Sequence, residues 1–270
     1  MNLLIDVGNL RLKWAFSTQL VDLNKPYPVA SDAVLQGQVE SSDFSGLDKC
    51  ALSRFDTVMK PEMTPDRVYV SSVAHDPVNQ RLAQICDELW QLSPVFISSC
   101  GKACGVTNRY DNPATLGVDR WAALIGARMK TFEQRASLVI DAGTAVTIDY
   151  VNADGVFSGG IIFPGVATMI GSINQSTGKI SVESVTKPGK QICLQNPCTE
   201  NAVSNGVLHC VVSSIDNAID YYGSLDQNGF DTIITGGDAS LIEQLSRHKM
   251  QTVPELVLLG ILALSEADNP

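Results

Sequence analysis

Basic residues are scarce in this sequence, and no apolar run is long. Lysine and arginine total 19 against 29 aspartates and glutamates, which gives a formal net charge of -10. Because that charge repels phosphodiester backbones and no local basic cluster offsets it, nucleic acid is not an expected partner. Apolar stretches such as 256–264 are well short of the roughly 18 to 20 residues that cross a bilayer, so we expect no membrane insertion.

A secretion signal and a disulfide framework are also missing from the pattern. Asp6 interrupts the first apolar run almost at once, which favours a cytoplasmic protein. The cysteines number 7, and an odd set at irregular spacing favours reduced thiols. Cys100 with Cys104, and Cys193 with Cys198 at the loose end of the range, have the spacing of a four-thiolate zinc site, but buried or loop thiols are the favoured interpretation.

Alternating and β-branched segments predict strands, and apolar residues at helical spacing predict helices between them. The predicted strands cover 2–7, 12–17, 68–73, 94–98, 137–141, 145–151, 156–163 and 231–235. One predicted helix opens with Asp76 as N-cap and Pro77 in the first turn, and others lie at about 117–131, 200–222, 238–248 and 255–267. The order predicts an α/β chain, with loops over 18–66 and 174–199.

A strand followed by an aspartate and a glycine turn occurs twice. The two copies are Leu3-Leu4-Ile5-Asp6-Val7-Gly8 and Leu138-Val139-Ile140-Asp141-Ala142-Gly143, and each precedes a second strand. Their offset, 141 minus 6, is 135 residues, which is half of the 270. We therefore predict two related domains, with residues 1–115 in the first and 116–270 in the second.

The chemistry of this repeated turn indicates phosphate binding. Glycine allows a tight turn and lets a ligand approach the bare main chain, whose amides bind phosphate oxygens. Aspartate meets phosphate only through a metal ion or its water. One such turn alone is more often a capped hairpin, but its recurrence favours two turns that hold a nucleotide from both sides. Lys13 is the nearest cation to the first turn, and its side chain either reaches a phosphate or is solvated. The sequence contains no P-loop or dinucleotide-binding glycine motif that would offer another nucleotide site.

A third acid, Asp119, precedes an apolar helix in the segment Gly117-Val118-Asp119-Arg120-Trp121. In a first helical turn, the helix dipole and free amides favour an ionised carboxylate. An ionised aspartate suits deprotonation of a hydroxyl, with Arg120 available to a substrate carboxylate. Taken alone, however, the segment is better explained by an acid at a helix start with an arginine beside it on the surface.

Together with two glycine clusters, these segments resemble the type III pantothenate kinases, a branch of the acetate and sugar kinase, heat-shock chaperone and actin superfamily. The matching segments occur in family order: Asp6-Val7-Gly8-Asn9 with Lys13, Tyr110 and Pro113 before Gly117-Val118-Asp119-Arg120, Asp141-Ala142-Gly143-Thr144-Ala145, Gly159-Gly160 with Pro164-Gly165, and Thr235-Gly236-Gly237. The resemblance implies two related actin-like (ribonuclease H-like) domains with a nucleotide cleft between them. It also implies ATP-dependent phosphorylation of pantothenate to 4′-phosphopantothenate, the first step of coenzyme A biosynthesis.

The resemblance implies a role for each matching residue. Asp119 matches the general base that deprotonates the primary hydroxyl of pantothenate. Asp141 matches an acid that binds potassium in members needing a monovalent cation, K⁺ or NH4⁺. ATP with Mg²⁺ is expected at Thr144 and along the first turn, with Asp6 near the metal: Asp6, Val7, Gly8, Asn9, Leu10, Arg11, Leu12 and Lys13. Pantothenate is expected at Tyr110, Gly117, Val118, Asp119, Arg120 and Thr199. The family is usually homodimeric, with the pantothenate pocket near the subunit interface.

Leu10 departs from the family pattern, in which many relatives carry a threonine or serine whose hydroxyl meets phosphate. The resemblance therefore implies a first turn that holds phosphate more weakly or through the main chain alone. A separate apolar stripe on the predicted helix 200–222 is explained either by a dimer contact or by core packing, and its members are Val203, Val207, Val211 and Ile215.

Two alternatives to a pantothenate kinase remain from the sequence. One is a non-catalytic nucleotide-binding regulatory protein on the same fold, and the other is a sugar or acyl kinase of the same superfamily. The presence of Asp119 favours an enzyme, since a binding protein would have little use for a general base. A substrate panel separates the two kinase readings.

Overall fold

The computed structural model describes residues 1–9, 11–17, 35–40, 55, 59, 63–131, 135–178, 180–182, 191–226 and 228–267. The chain forms two compact units. Unit 1 comprises Met1–Gln134, Gly155–Ser158 and Glu255–Pro270, and unit 2 comprises Arg135–Asp154 and Gly159–Pro254. Leu10, Cys50 and most of the predicted loop 18–66 lie outside the described residues.

The helices and strands of the described residues are as follows. The helices are α1 (Asp76–Trp90), α2 (Val118–Lys130), α3 (Val166–Ser176), α4 (Thr199–Leu225), α5 (Ala239–Leu245) and α6 (Leu256–Ala267). The strands are β1 (Asn2–Val7), β2 (Arg11–Ser17), β3 (Leu35–Glu40), β4 (Arg67–Ser72), β5 (Val95–Phe96), β6 (Lys102–Ala103), β7 (Val106–Asn108), β8 (Ala136–Ala142), β9 (Ala145–Val151), β10 (Val156–Pro164), β11 (Phe230–Thr235) and β12 (Gln251–Thr252).

Unit 1 is built on a sheet of order β3-β2-β1-β4-β5, with β1 antiparallel to β2 and parallel to β4. Alternate residues of β1 point to opposite faces. Leu3, Ile5 and Val7 face a core that also contains residues of α1. Asp6 therefore points to the other face, where α2 contacts β4 and α6 contacts β1.

Helices α2 and α6 cross with their backbones in contact. Helix α6 is buried on all sides from Leu256 to Ser265, as its continuous apolar sequence predicts. A Cβ on Gly260 would overlap the carbonyl oxygen of Ala122, and a Cβ on Gly126 would overlap that of Leu256. The crossing requires a residue without a side chain at both points.

Unit 2 contains strands in the order β12-β11-β8-β9-β10. Strand β8 is antiparallel to β9 and parallel to β11, which is the arrangement of β1 between β2 and β4 in unit 1. The apolar stripe of α4 is part of this unit's core: Val207, Val211 and Ile215 are buried and Val203 packs against them. The proposed dimer surface on that stripe is therefore wrong, and core packing explains it.

In unit 1, β6 and β7 form an antiparallel hairpin, and β7 pairs with Val156 and Phe157 at the start of β10. The remainder of β10 belongs to unit 2. The predicted division into 1–115 and 116–270 was based on the repeated sequence motif, whereas the two units described above are defined by compactness. The predicted division stays a prediction.

Each predicted strand and helix has an observed counterpart, with some corrections. Asp76 is the first residue of α1 and not its N-cap; His75 occupies the N-cap position without a side-chain hydrogen bond. Helix α3 and strands β3, β6, β7 and β12 were not predicted. Within the described part of the chain, no helix combines the length and the apolar character needed to span a bilayer.

In the described part of the chain, the cysteines are free thiols and form no cluster that could hold a metal ion. Cys86 is buried, and burial raises the pKa of its thiol to about 12. Cys100, Cys193, Cys198 and Cys210 are exposed and Cys104 is partly exposed, all as free thiols. The buried and loop thiols fit the favoured interpretation of these residues.

The helix crossing can be tested with Gly260→Ala. The added methyl group must push α2 and α6 apart, so we expect a loss of about 1–3 kcal/mol in the free energy of unfolding. Gly206→Ala is the matched control, because Gly206 lies within α4 with no atom within 4 Å of the added Cβ. That control should gain up to about 1 kcal/mol from helix propensity. Equal urea midpoints for Gly260→Ala and wild type would contradict the crossing.

Candidate active site

The first candidate phosphate turn joins β1 to β2. The Gly8 amide donates to the Arg11 carbonyl at 2.8 Å and closes the turn. Val7 and Leu12 are completely buried in the apolar core, so only their backbone is available to a ligand. Asn9 is exposed and Gly8 partly exposed at the tip. Leu10 lies outside the described residues, so its predicted departure stays a prediction.

The second candidate phosphate turn joins β8 to β9 and is also closed by its glycine amide, across a loop that is one residue shorter. The Gly143 amide donates to the Ala145 carbonyl at 3.0 Å. Asp141 precedes this turn and is partly exposed, while the Thr144 side chain is exposed. Each predicted turn is therefore present, in its own unit, as a strand, an acid and a glycine-closed reversal.

Two distant glycine segments pack against the second turn. Gly236 has φ of 97°, and a Cβ there would overlap the backbone of Ala142. A Cβ on Gly165 would overlap the carbonyl oxygen of Gly143. The Thr144 carbonyl accepts from the Gly165 amide at 2.9 Å and from Thr168 Oγ1 at 2.6 Å. Three segments that the sequence singled out separately therefore meet in unit 2.

In each unit the strand register places the acid in a row of three side chains. Asp6 is paired with Lys13 on β2 and with Ser71 on β4. Asp141 is paired with Thr147 on β9 and with Thr235 on β11. Paired residues point to the same face of a sheet, so these are side-by-side neighbours.

Asp119 occupies the first turn of α2, as predicted. Its Oδ1 accepts a hydrogen bond from the Arg120 amide at 2.7 Å and lies against Gly117, the N-cap residue. Burial raises the pKa of the Asp119 carboxyl above its ordinary value, although the Arg120 amide and the Arg120 charge act in the opposite direction. The prediction that the helix start favours the ionised form is therefore incomplete, because desolvation is the larger effect.

Arg120 is held by two aromatic rings of unit 1. Its Nη1 donates to Tyr110 Oη at 3.0 Å, and its guanidinium carbon lies 6.0 Å from the Tyr110 ring centre. It also lies 5.9 Å from the ring of Phe157, which stacks on Tyr110 at 5.7 Å. Cation–π contact and the tyrosine hydrogen bond orient the guanidinium of Arg120, a residue that is 7% exposed.

The loop before α2 is itself braced. The buried Asn108 accepts from the Tyr110 amide at 3.1 Å and donates to the Pro113 carbonyl at 3.1 Å. The predicted pantothenate positions Tyr110, Gly117 and Arg120 are thereby brought together within unit 1. Val118 follows as the first residue of α2.

Not every predicted site residue is in that group. Thr199 is the exposed first residue of α4 in unit 2. Conversely, sequence reasoning missed Phe157 and Thr168. An aromatic residue just before the Ser158-Gly159-Gly160 segment was an available signal for Phe157, whereas a threonine on an unpredicted helix gave none.

The residues at the turns fit a magnesium ion that arrives with a nucleotide. Within the described ranges, no group of three or more His, Cys, Asp or Glu side chains is arranged to hold a metal ion. Mg²⁺ in kinase sites is held by one or two carboxylates together with substrate phosphates and waters, so it needs no such group. Asp6 and Asp141 each supply a partly exposed carboxylate beside a turn with backbone amides, which is a hard-oxygen donor set of that kind.

The fold and these turns define a class of protein. The Clostridium difficile activator of 2-hydroxyisocaproyl-CoA dehydratase, with bound ADPNP, matches with a TM-score of 0.50 at 13% identity, covering 99% of this chain and 95% of that one. A Campylobacter jejuni protein described as a conserved Baf family transcriptional activator matches with a TM-score of 0.56 at 18% identity, covering 99% and 100%. At these identities the likeness concerns the fold alone, which is a mixed α/β, actin-like fold.

Sequence comparison then identifies the family. A family model described as type III pantothenate kinase matches residues 2–221. The type III pantothenate kinase of Nitrosococcus oceani is 33% identical, covering 98% of this chain and 94% of that protein. That of Leptothrix cholodnii is 31% identical, covering 97% and 95%. This chain belongs to the type III pantothenate kinase family.

Burial of Asp119 predicts a pH-dependent effect of Asp119→Asn on stability. Because burial raises the pKa of Asp119 in the folded state, the ionised carboxylate destabilises that state. This destabilisation is absent below the unfolded pKa of about 3.9 and is fully present once the pH has risen through the folded pKa. We expect the variant to melt at a higher temperature than wild type near pH 7 and at the same temperature near pH 3. The exposed Asp87, replaced by Asn, is the control and should leave the melting temperature close to that of wild type. A lower melting temperature at pH 7 would argue against the burial.

Proposed function

We propose that this protein transfers the γ-phosphoryl group of ATP to the primary hydroxyl of pantothenate, forming 4′-phosphopantothenate in the first step of coenzyme A biosynthesis. The observation that carries the proposal is the arrangement at the start of α2. Asp119 lies beside Arg120, whose guanidinium is held by Tyr110. A chain of the type III pantothenate kinase family thus has a base and a cation next to each other.

Pantothenate offers one group to each of these side chains. Its carboxylate suits the guanidinium of Arg120, which makes charge-assisted hydrogen bonds to carboxylates. Its primary hydroxyl needs a proton acceptor as it attacks phosphorus. Burial raises the pKa of Asp119 and makes its carboxylate a stronger base, closer in pKa to the operating pH.

The two glycine-closed turns are the proposed phosphate sites. In the first, the amides of Gly8 and Asn9 and the charge of Lys13 suit phosphate oxygens, and Asp6 is the proposed carboxylate for Mg²⁺. In the second, Thr144 is the proposed phosphate contact. When bound, Mg²⁺ would neutralise phosphate charge, and phosphoryl transfer depends mainly on such neutralisation and on positioning.

Asp141 is the proposed ligand of a monovalent cation, K⁺ or NH4⁺. It precedes the second turn, where a cation would offset phosphate charge. Comparing activity in potassium, ammonium and sodium salts at one ionic strength would identify the ion, and equal rates in all three would remove the assignment.

We also propose a cytoplasmic homodimer. Because the α4 stripe belongs to the core of unit 2, any contact between subunits must use another surface. The molar mass from light scattering would distinguish a monomer from a dimer of 29.0 kDa chains.

The assay that tests the function couples ADP formation to a substrate panel. We expect ADP to form with pantothenate and not with sugars or acetate. Asp119→Asn should lower kcat by about 10² to 10⁴, the usual contribution of a general base. Asp87→Asn should retain wild-type rates, because Asp87 is exposed on α1. Full activity of Asp119→Asn would remove the assigned base, and turnover of a sugar or of acetate in place of pantothenate would replace the substrate.

Tyr110→Phe tests the orientation of Arg120. The variant keeps the stacked ring and removes the hydroxyl that accepts from Arg120 at 3.0 Å. A hydrogen bond to a charged group contributes about 1.5–3 kcal/mol, so KM for pantothenate should rise by about 10-fold or more. KM for ATP should not change. An equal rise in both KM values would indicate a general loss of structure and not a loss of the carboxylate contact.

A further inference from the structure

Strand β4 places a serine hydroxyl beside the first aspartate. Ser71 is the register partner of Asp6 in the parallel ladder of β1 and β4, so both side chains point to the same face. Ser71 is completely buried, and its Oγ has no hydrogen-bond partner among the residues that the structure describes. Buried hydroxyls without a partner are rare in native proteins and indicate a role that the protein alone does not reveal.

Unit 2 repeats this placement. Thr235 on β11 is the register partner of Asp141 and is 1% exposed. Its Oγ1 donates to the Pro254 carbonyl at 3.4 Å, so it has the partner that Ser71 lacks. A buried hydroxyl thus lies directly beside the acid in both units.

The linear sequence does not reveal this equivalence. Asp6 and Asp141 are 135 residues apart, whereas 235 minus 71 gives 164 for the two hydroxyl residues. Ser71 and Thr235 occupy equivalent positions only in the strand pairing, because the segments between the strands differ in length in the two units.

We propose that Ser71 is a positioning residue for Asp6. When nucleotide and Mg²⁺ bind, the Ser71 hydroxyl donates a hydrogen bond to the Asp6 carboxylate and so determines which carboxylate oxygen is presented to the metal. An ionised carboxylate only accepts hydrogen bonds, and serine is one of the few small side chains that can donate to it. The inference rests on the proposed function, because it assumes that Asp6 serves a nucleotide bound with Mg²⁺.

The geometry allows this contact without movement of the backbone. Paired strands lie about 4.8 Å apart, and rotation about the serine χ1 angle moves the hydroxyl among three staggered positions. Both side chains are on the face covered by α2 and α6, where water has little access to Ser71. Groups that orient a metal-binding carboxylate in this way commonly alter metal affinity by about 10- to 100-fold.

The test measures nucleotide binding without catalysis. The Kd of a non-hydrolysable ATP analogue is measured by calorimetry over a range of Mg²⁺ concentrations, with no pantothenate present. Mg²⁺ is expected to lower the Kd of the analogue. For Ser71→Ala we expect the Mg²⁺ concentration that gives half of this decrease to rise by about 10-fold. The Kd in EDTA should equal that of wild type. Ser71→Thr keeps a hydroxyl, as Thr235 does in unit 2, and should restore the wild-type Mg²⁺ dependence.

Ser99→Ala is the matched control. Ser99 is a second buried serine of unit 1 whose Oγ has no partner in the described part of the chain, and it is not paired with an acid. It should leave the Mg²⁺ dependence unchanged. If Ser71→Ala does not fold by circular dichroism, Ser71→Cys replaces the hydroxyl with a thiol, a slightly larger group and a weaker donor, and is expected to show the same shift in Mg²⁺ dependence.

Two results would overturn the inference. One is a Mg²⁺ dependence of folded Ser71→Ala, or of Ser71→Cys in its place, that equals wild type. The other is wild-type binding of the analogue that does not respond to Mg²⁺. Failure of the proposed function is distinct, because it would leave Mg²⁺-dependent nucleotide binding and the Ser71 effect in place while no ADP forms with pantothenate.

Discussion

The register of the central strands β1 and β8 is the constraint on which the rest of the structure depends. Each strand has an antiparallel neighbour on one side and a parallel neighbour on the other, so backbone hydrogen bonds determine its register from both sides. A slip by one residue would bring Asp6 into the apolar core and send Ile5 to the opposite face. Because Leu3, Ile5 and Val7 are completely buried, that slip is strongly disfavoured. The acid is held at the end of its strand by the burial of its apolar neighbours, and Asp141 is held in the same way by Leu138 and Ile140.

The three acids differ in their surroundings, and this difference separates their proposed roles. Asp6 and Asp141 are partly exposed beside turns whose amides attract anions. Asp119 is set against Gly117 on a helix start, where desolvation outweighs the helix amide and the charge of Arg120. A carboxylate in the first setting is accessible to a cation, whereas burial in the second setting makes Asp119 a stronger base. The proposed roles follow these two settings: cation binding for Asp6 and Asp141, and proton transfer for Asp119.

Local sequence pattern predicted most of the regular elements, but it missed α3 and β3, which have 11 and 6 residues. The repeat around Asp6 and Asp141 was visible because strand, acid and glycine are adjacent in the chain, and Asp119 was visible because it precedes an apolar helix. The remaining features depend on pairing across long separations. Strands of two or three residues such as β12 carry too few residues for periodicity to detect. Phe157 and Ser71 lie within ordinary strand sequence, and only the register gives each its neighbour. Helix α6 was predicted, but its place beside α2 arises from two glycines 134 residues apart (260 minus 126), which no local signal links.

The crossing of α2 and α6 also bears on how the chain is made. Unit 1 contains segments from both sides of unit 2, and α6 follows all of unit 2 in the sequence. During synthesis, the apolar face of α2 that α6 later covers therefore emerges from the ribosome before its partner exists. Domains generally fold as units, and incompletely covered apolar surface favours aggregation. Unit 2, whose segments are complete by Pro254, is then free to fold first, and the helix that carries Asp119 gains its final packing only when α6 has been released.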